Sequence, residues 1–279
     1  MNSIYLHSKK TKIEKYYIYL LILFVLYSIY KNSILVYLGT KLVTFSIFKS
    51  ILFPIISIGI SYLCQKFLLK EKSEDHFLFY TLMLNMTMPV QMSIIIFLIV
   101  NIIINLLTVF VFKNTKFNYY CLYKVLIVGL LILLKQNTYA NDLELIGKYS
   151  YNLIDVFFGR GISGIAISSM FFIIISFLIL NSNFYYKNDI PIISLIVYLI
   201  GTFILKIAFG KIIILNSMIL FAFVFFTTFN EYSPVEKKHR IIYSILIAVL
   251  TLVFTYLIDT HDGVFLAIFI ASLLNYLWL

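Results

Sequence analysis

The side chains of this 279-residue chain that could do chemistry are few and are scattered through apolar sequence. Asp155 and Arg160 flank Phe157-Phe158, beside Gly159, Gly161 and Gly164. An ionisable residue inside a membrane is a functional candidate because burying it is costly. At the membrane surface the same pair would simply be solvated. The glycines would let backbone approach a bound anion, and they would equally let helices pack closely. Thr227, Thr228, Asn230 and Ser233 could line a polar site on unwound backbone, or cap helices at a loop end. Asn101 and Asn105 stand one turn apart on one helix face, which predicts interhelical bonding rather than lipid contact.

Other chemistries find no footing. Cys64 and Cys121 form no CxxC or Cys/His pattern and read as small apolar residues in helices. His76, His239 and His261 stand at the edges of apolar segments without a partner at metal-ligand spacing, and His7 lies in a basic N-terminal stretch. No metal site and no catalytic residue is therefore expected. No Ser/His/Asp or Cys/His arrangement suggests a hydrolase, and no Walker-type loop suggests ATP hydrolysis by this chain.

The elements that must position these residues are membrane helices. Hydrophobic residues make up 62% of the chain and charged residues 12%. Runs such as Tyr17–Leu26, Ser93–Phe112 and Ile241–Ile258 reach or approach the ~20 residues needed to cross the hydrocarbon core. Backbone in lipid must satisfy its own hydrogen bonds, so helices follow; a β-barrel would alternate apolar and polar residues, and these runs do not. The net charge of +10 comes from cations at helix ends and short loops, not from one soluble face, so nucleic acid is excluded as a partner.

Spans are expected near 16–35, 43–65, 77–90, 91–112, 119–135, 163–181, 190–208, 211–229, 241–258 and 263–279. The third is short and ends at Pro89, so a broken helix is predicted there. Lys9, Lys10, Lys12 and Lys15 precede the first apolar run without a small-residue cleavage site after it, so the first span is expected to be retained. Lys-rich stretches (the N-terminus, Lys66–Asp75, Lys113–Asn118 and Glu231–Arg240) fall on one side of a ten-span layout, and Asp259–Asp262 on the other. The positive-inside rule makes the first side cytoplasmic, with both termini inside a bacterial cytoplasmic (inner) membrane. The expected organisation is a basic tail at 1–15, a five-helix repeat at 16–135, an extracytoplasmic linker at 136–162 and a second five-helix repeat at 163–279. An odd number of spans per half places the halves in opposite orientation, which makes an all-α integral membrane protein of two inverted repeats.

The order of motifs resembles the RnfD/NqrB family, membrane subunits of flavin-carrying, ion-translocating electron-transfer complexes. Residues 75–89 (DHFLFYTLMLNMTMP) are similar to the family's DGSALVTGLLLALTLP, with Thr81, Leu82, Leu84, Thr87 and Pro89 matching. Phe117 and Asn118 match its NPFNP. Phe158-Gly159 and Ser168-Ser169 sit where the family has FLGN…GETSA. Thr228, Ser233 and Pro234 match GAFFMATDPVTSP, and Gly263 and Val264 match GGYPEGV. The resemblance covers the chain from about Ile58 to its C-terminus and implies Asn118, Thr138, Asn141, Ser168, Ser169, Thr228 and Ser233 as cofactor-binding positions.

The departures bear on the cofactor. The family links FMN through a phosphoester to the threonine of an SGAT-like motif in the outward loop before the sixth span. Here Thr138-Tyr-Ala-Asn141 replaces it, and the amide of Asn141 cannot form that ester. Thr138 comes three residues early. The GETS glutamate is replaced by Ile167, the ATDP aspartate by Phe229 and its proline by Asn230, and the glycines of FGGLG by Lys113 and Asn114. The resemblance thus implies a flavin, FMN or riboflavin, held non-covalently if at all, and not covalent FMN. It implies a non-autonomous subunit of a redox-driven translocase, whose partners are the bilayer and other membrane subunits. A small-molecule transporter and a structural membrane subunit on the same scaffold stay open as alternatives.

Overall fold

The computed structural model describes residues 2–69, 75–112, 115–145, 153–159, 163–210, 215–229, 231–258 and 262–278. They are helical throughout their regular structure, and no strand occurs among the described residues. The helices are α1 (Asn2–Ile29), α2 (Val36–Thr40), α3 (Ser46–Cys64), α4 (Asp75–Met86), α5 (Ile94–Phe110), α6 (Tyr119–Leu133), α7 (Asp142–Leu145), α8 (Leu153–Phe158), α9 (Met170–Asn181), α10 (Asp189–Phe209), α11 (Ser217–Phe221), α12 (Lys237–Ile258) and α13 (Gly263–Trp278). Three wider π-helical stretches interrupt or extend them, at Tyr30–Leu35, Gln65–Leu69 and Ala222–Phe226.

Among the described residues, four helical rods are long and apolar enough to cross a membrane: Tyr16–Thr40, Ser46–Phe67, Asp189–Phe209 and Lys237–Leu257. Shorter apolar helices occupy Ile94–Phe110, Tyr119–Leu133, Met170–Asn181, Ser217–Phe226 and Gly263–Tyr276. This is the architecture of a multi-pass helical membrane protein. Helix starts follow capping chemistry. Ser93, Ser169 and Asn216 each accept a hydrogen bond from a first-turn amide of α5, α9 and α11. Gly210, at φ 66°, closes α10 in the left-handed conformation that glycine adopts without steric cost.

Three expected spans are shorter than the sequence suggested, the eighth being helical only over Ser217–Phe226 among the described residues. The third is broken as predicted, with α4 ending at Met86, three residues before Pro89. The sixth begins only at Met170, because residues 163–169 are not helical. The two breaks satisfy each other. Ile165 donates its amide to the Met88 carbonyl (2.8 Å), and Ala166 donates to that of Met86 (3.2 Å). Gly164 permits this approach, since a Cβ there would lie 2.8 Å from the Met86 oxygen and from Thr87 Cα. Unwound backbone at membrane depth survives only where such partners exist.

The chain forms two compact units. One comprises residues 1–114 and 129–185, the other residues 115–128 and 186–279. The first is centred on α3, α4 and α5, where Phe53 stacks on Phe97 with ring centroids 3.8 Å apart. The second is filled by aromatic side chains, with Tyr198, Phe221, Phe223, Phe225, Phe226 and Phe265 fully buried.

Candidate functional site

In the first unit, a polar corner forms around the loop that leads into α7. Asn141 caps this short helix reciprocally with Glu144: its amide donates to Glu144 Oε2 (2.8 Å), and the Glu144 amide donates to Asn141 Oδ1 (2.9 Å). Asn141 Nδ2 donates to Asn32 Oδ1 (3.2 Å), so both ends of the buried Asn141 amide are engaged. Asn32 Nδ2 in turn donates to the Ile165 carbonyl (2.8 Å), which also accepts from Ser28 Oγ (2.6 Å). Glu144 Oε1 faces Lys31 Nζ at 3.0 Å, both side chains nearly inaccessible. Lys31 and Asn32 sit in the π-helical stretch Tyr30–Leu35, where the widened turn brings successive polar side chains inward.

Asp142 completes the corner. It accepts from Gln91 Nε2 (2.8 Å), from Thr44 Oγ1 (2.9 Å) and from Ser46 Oγ. Burial works to raise its pKa, but the hydrogen bonds from Ser46, Gln91 and Thr44, with the charge of Lys49, outweigh it and hold the carboxyl below its ordinary value. Lys49 Nζ donates to the Val90 carbonyl (3.2 Å). The Thr138 carbonyl accepts from the Gln91 amide (3.2 Å), which fixes the loop on the break after α4.

Ser169 caps α9, while the neighbouring Ser168 is buried with its hydroxyl unpartnered among the described residues. Gly159, at φ 101°, packs so tightly that a Cβ would stand 2.7 Å from the Tyr27 ring and 2.8 Å from Ser169. Of the two uses open to the glycines, close packing is the one seen at Gly159 and Gly164. Asp155 is half-buried in the first turn of α8, its carbonyl accepting from the Gly159 amide (3.0 Å). Arg160, Gly161, Asn230, His261, Lys113 and Asn114 lie outside the described residues, as do the side chains of His7 and His76.

In the second unit, the other matched positions gather at the end of α11. Asn118 caps α6, accepting from the Cys121 amide (3.3 Å) and donating Nδ2 to the Phe226 carbonyl (3.1 Å). Its own amide donates to Ser272 Oγ (3.0 Å). Thr227 and Thr228 turn their hydroxyls back onto the carbonyls of Phe223 (2.6 Å) and Val224 (2.9 Å). Ser233 donates to the Phe229 carbonyl (2.7 Å) and accepts from Lys187 Nζ (2.7 Å). Burial, aided by the Arg240 charge and only partly offset by Asp189, pushes the Lys187 ammonium down to about 8. Arg240 Nε lies 2.9 Å from Asp189 Oδ2.

The sequence reading overlooked the buried lysines. Besides Lys31 and Lys49, Lys124 is fully buried in α6, 3.3 Å from Asp262 and 5.7 Å from the centre of the Phe265 ring. The signal was present: each of the three interrupts an expected apolar span, and a cation there demands a partner. Asn101 bonds between helices as read, whereas Asn105 bonds within α5 alone, to the Asn101 carbonyl (2.7 Å). Both are buried, and Asn85 Nδ2 donates to Asn101 Oδ1 and to Ser57 Oγ (2.6 Å), linking three helices.

Apolar rods, paired breaks and buried charge pairs define a polytopic α-helical membrane protein. The sequence pattern of the NQR2, RnfD, RnfE family matches residues 4–277, and the chain belongs to that family. No curated protein matches it.

Proposed function

We propose that this protein is the membrane subunit of an Rnf/Nqr-like, ion-translocating electron-transfer complex in which covalent flavin attachment has been lost. Family membership over nearly the whole chain supports the scaffold and its place among other membrane subunits. The observation that carries the second half of the reading is Asn141. A phosphoester needs a hydroxyl. Asn141 offers a buried amide whose oxygen and nitrogen are both committed to the corner's own bonds. Its partners Glu144 and Asn32 are tied to Lys31 and to the Ile165 carbonyl, so the position serves as a structural joint. Any flavin in this subunit is therefore held non-covalently, the protein supplying position and electrostatics while the cofactor carries the redox chemistry. The chain belongs in a bacterial cytoplasmic membrane, with its Lys-rich ends and loops inside, and its spans form two five-helix repeats of opposite orientation.

A structural subunit without a redox group is the second reading, and the closed bonding at Asn141 is what favours it. Absorbance and fluorescence of the purified protein before and after denaturation separate the two. Flavin released on denaturation supports the electron-transfer reading. Flavin that stays with the denatured chain would overturn the assignment at Asn141. A flavin-free protein moves the conclusion to the structural subunit.

A further inference from the structure

Within the first unit, α3 and α5 run side by side in register. Phe53 stacks on Phe97. One turn further along both helices, Ser57 and Asn101 are joined through Asn85 Nδ2 of α4. A further turn brings Ser61 to the level of Asn105. Both are completely buried, and neither Ser61 Oγ nor Asn105 Oδ1 has a hydrogen-bond partner among the described residues. Asn85 Oδ1, on the amide that joins Ser57 and Asn101 one turn away, has none either among the described residues. The amide nitrogens here are already used: Asn105 Nδ2 donates to the Asn101 carbonyl (2.7 Å), and Asn101 Nδ2 donates to that of Phe97 (2.8 Å). What is left over is two amide oxygens that only accept and one hydroxyl that can donate.

Orphaned polar atoms in an apolar bundle forfeit the hydrogen bonds they would make in water. We propose that a buried water molecule sits between α3, α4 and α5. It would donate to Asn85 Oδ1 and Asn105 Oδ1 and accept from the Ser61 hydroxyl, the three-bond pattern typical of interior water. The donor and acceptor count favours water over a cation. The described side chains of the three helices include no carboxylate to balance a positive charge, and the ammonium of Lys49 lies toward the other end of α3. The inference is independent of the redox reading. It gives the first unit a hydrated joint directly beside the break that ends α4.

The test is an experimental structure of the full chain in lipid nanodiscs at about 2.5 Å or better, with melting midpoints for Ser61→Ala, Asn105→Ala and the double variant. Density within hydrogen-bond reach of all three oxygens is expected. So is strong non-additivity: each single variant lowers the midpoint by about 2–4 °C, roughly 1 kcal/mol for a chain of this size, and the double lowers it no further than the larger single. Absent density, or additive losses, would overturn the proposal. So would a midpoint that rises on replacing choline with sodium in the wild type but not in Asn105→Ala, because the occupant would then be a cation.

Discussion

The Asn141 corner of the first unit, where the chain departs from the family motif, and the Thr227–Ser233 corner of the second, where Thr228 and Ser233 match it, are both polar and buried, yet they are held together differently. At Asn141 the partners are distant in sequence. Glu144 meets Lys31, Asn141 meets Asn32, and Asp142 meets Thr44, Ser46 and Gln91. At Thr227–Ser233 the hydroxyls bond to carbonyls four residues back on their own chain, Lys187 alone reaching Ser233 from a distant segment among the described bonds of these hydroxyls, and the surroundings are aromatic. Long-range charge pairing makes a corner that depends on every member. Local back-bonding makes one that tolerates loss, because each hydroxyl supplements backbone bonds that exist without it.

The sharpest way to break this contrast is Glu144→Gln. It removes the carboxylate opposite a buried ammonium, and such changes cost about 3–5 kcal/mol. A large fall in melting midpoint in detergent is expected. The double variant Lys31→Met/Glu144→Met should recover much of it, because no charge is then left buried. Equal losses in the single and double variants would show that the pair is not the joint described here.

Asn141→Ala should cost about 0.5–2 kcal/mol through the lost cap, with Asn141→Thr milder because a hydroxyl still caps. If threonine proves as harmful as alanine in the same melting assay, capping is not what Asn141 contributes.

The two corners should also respond to pH at opposite ends of the scale. The folded-state pKa of Asp142 is depressed, so its stabilisation is complete above its unfolded value near 4 and is lost as pH falls further. Midpoints measured downward from neutral pH should drop in acid, and Asp142→Asn should flatten that drop. Lys187 is also depressed, to about 8, but it is a cation. The unfolded chain holds its proton more tightly, so stability should rise between about pH 8 and the ordinary lysine value near 10.4. Lys187→Met should abolish that rise; an unchanged slope would mean that the ammonium is better solvated than its surroundings indicate.

The smallest effect is expected at Thr228→Val. It keeps the side-chain shape and removes one back-bond, so a change below about 1 kcal/mol should follow. A loss as large as that of Asn141→Ala would erase the distinction between the corners.

Much of this was legible in the sequence. Apolar runs located the helices because membrane-embedded backbone has few other options. Pro89 marked the break after α4, and Asn101 and Asn105 announced a protein-facing surface. The order of short motifs led to the family. The shortening of the sixth span was not read from the sequence, because residues 163–169 (SGIAISS) carry no proline or charge to mark a break. Their lack of helix is decided by hydrogen bonds to Met86 and Met88, which lie far away along the chain.

Composition and periodicity by themselves determined that this is a helical membrane protein and roughly where its helices lie, and the motif resemblance implied that Asn141 stands where the family has its acceptor threonine. Those are consequences of local chemistry: helix hydrogen bonds close within a few residues, and a missing hydroxyl is missing in any fold. Only the tertiary structure decided what Asn141 does instead, which carboxylates meet Lys31 and Lys124, and which oxygens are orphaned between α3, α4 and α5. Those outcomes depend on pairings between residues far apart in sequence, and in a low-dielectric interior the partner a polar group finds decides whether burying it stabilises the fold or costs it.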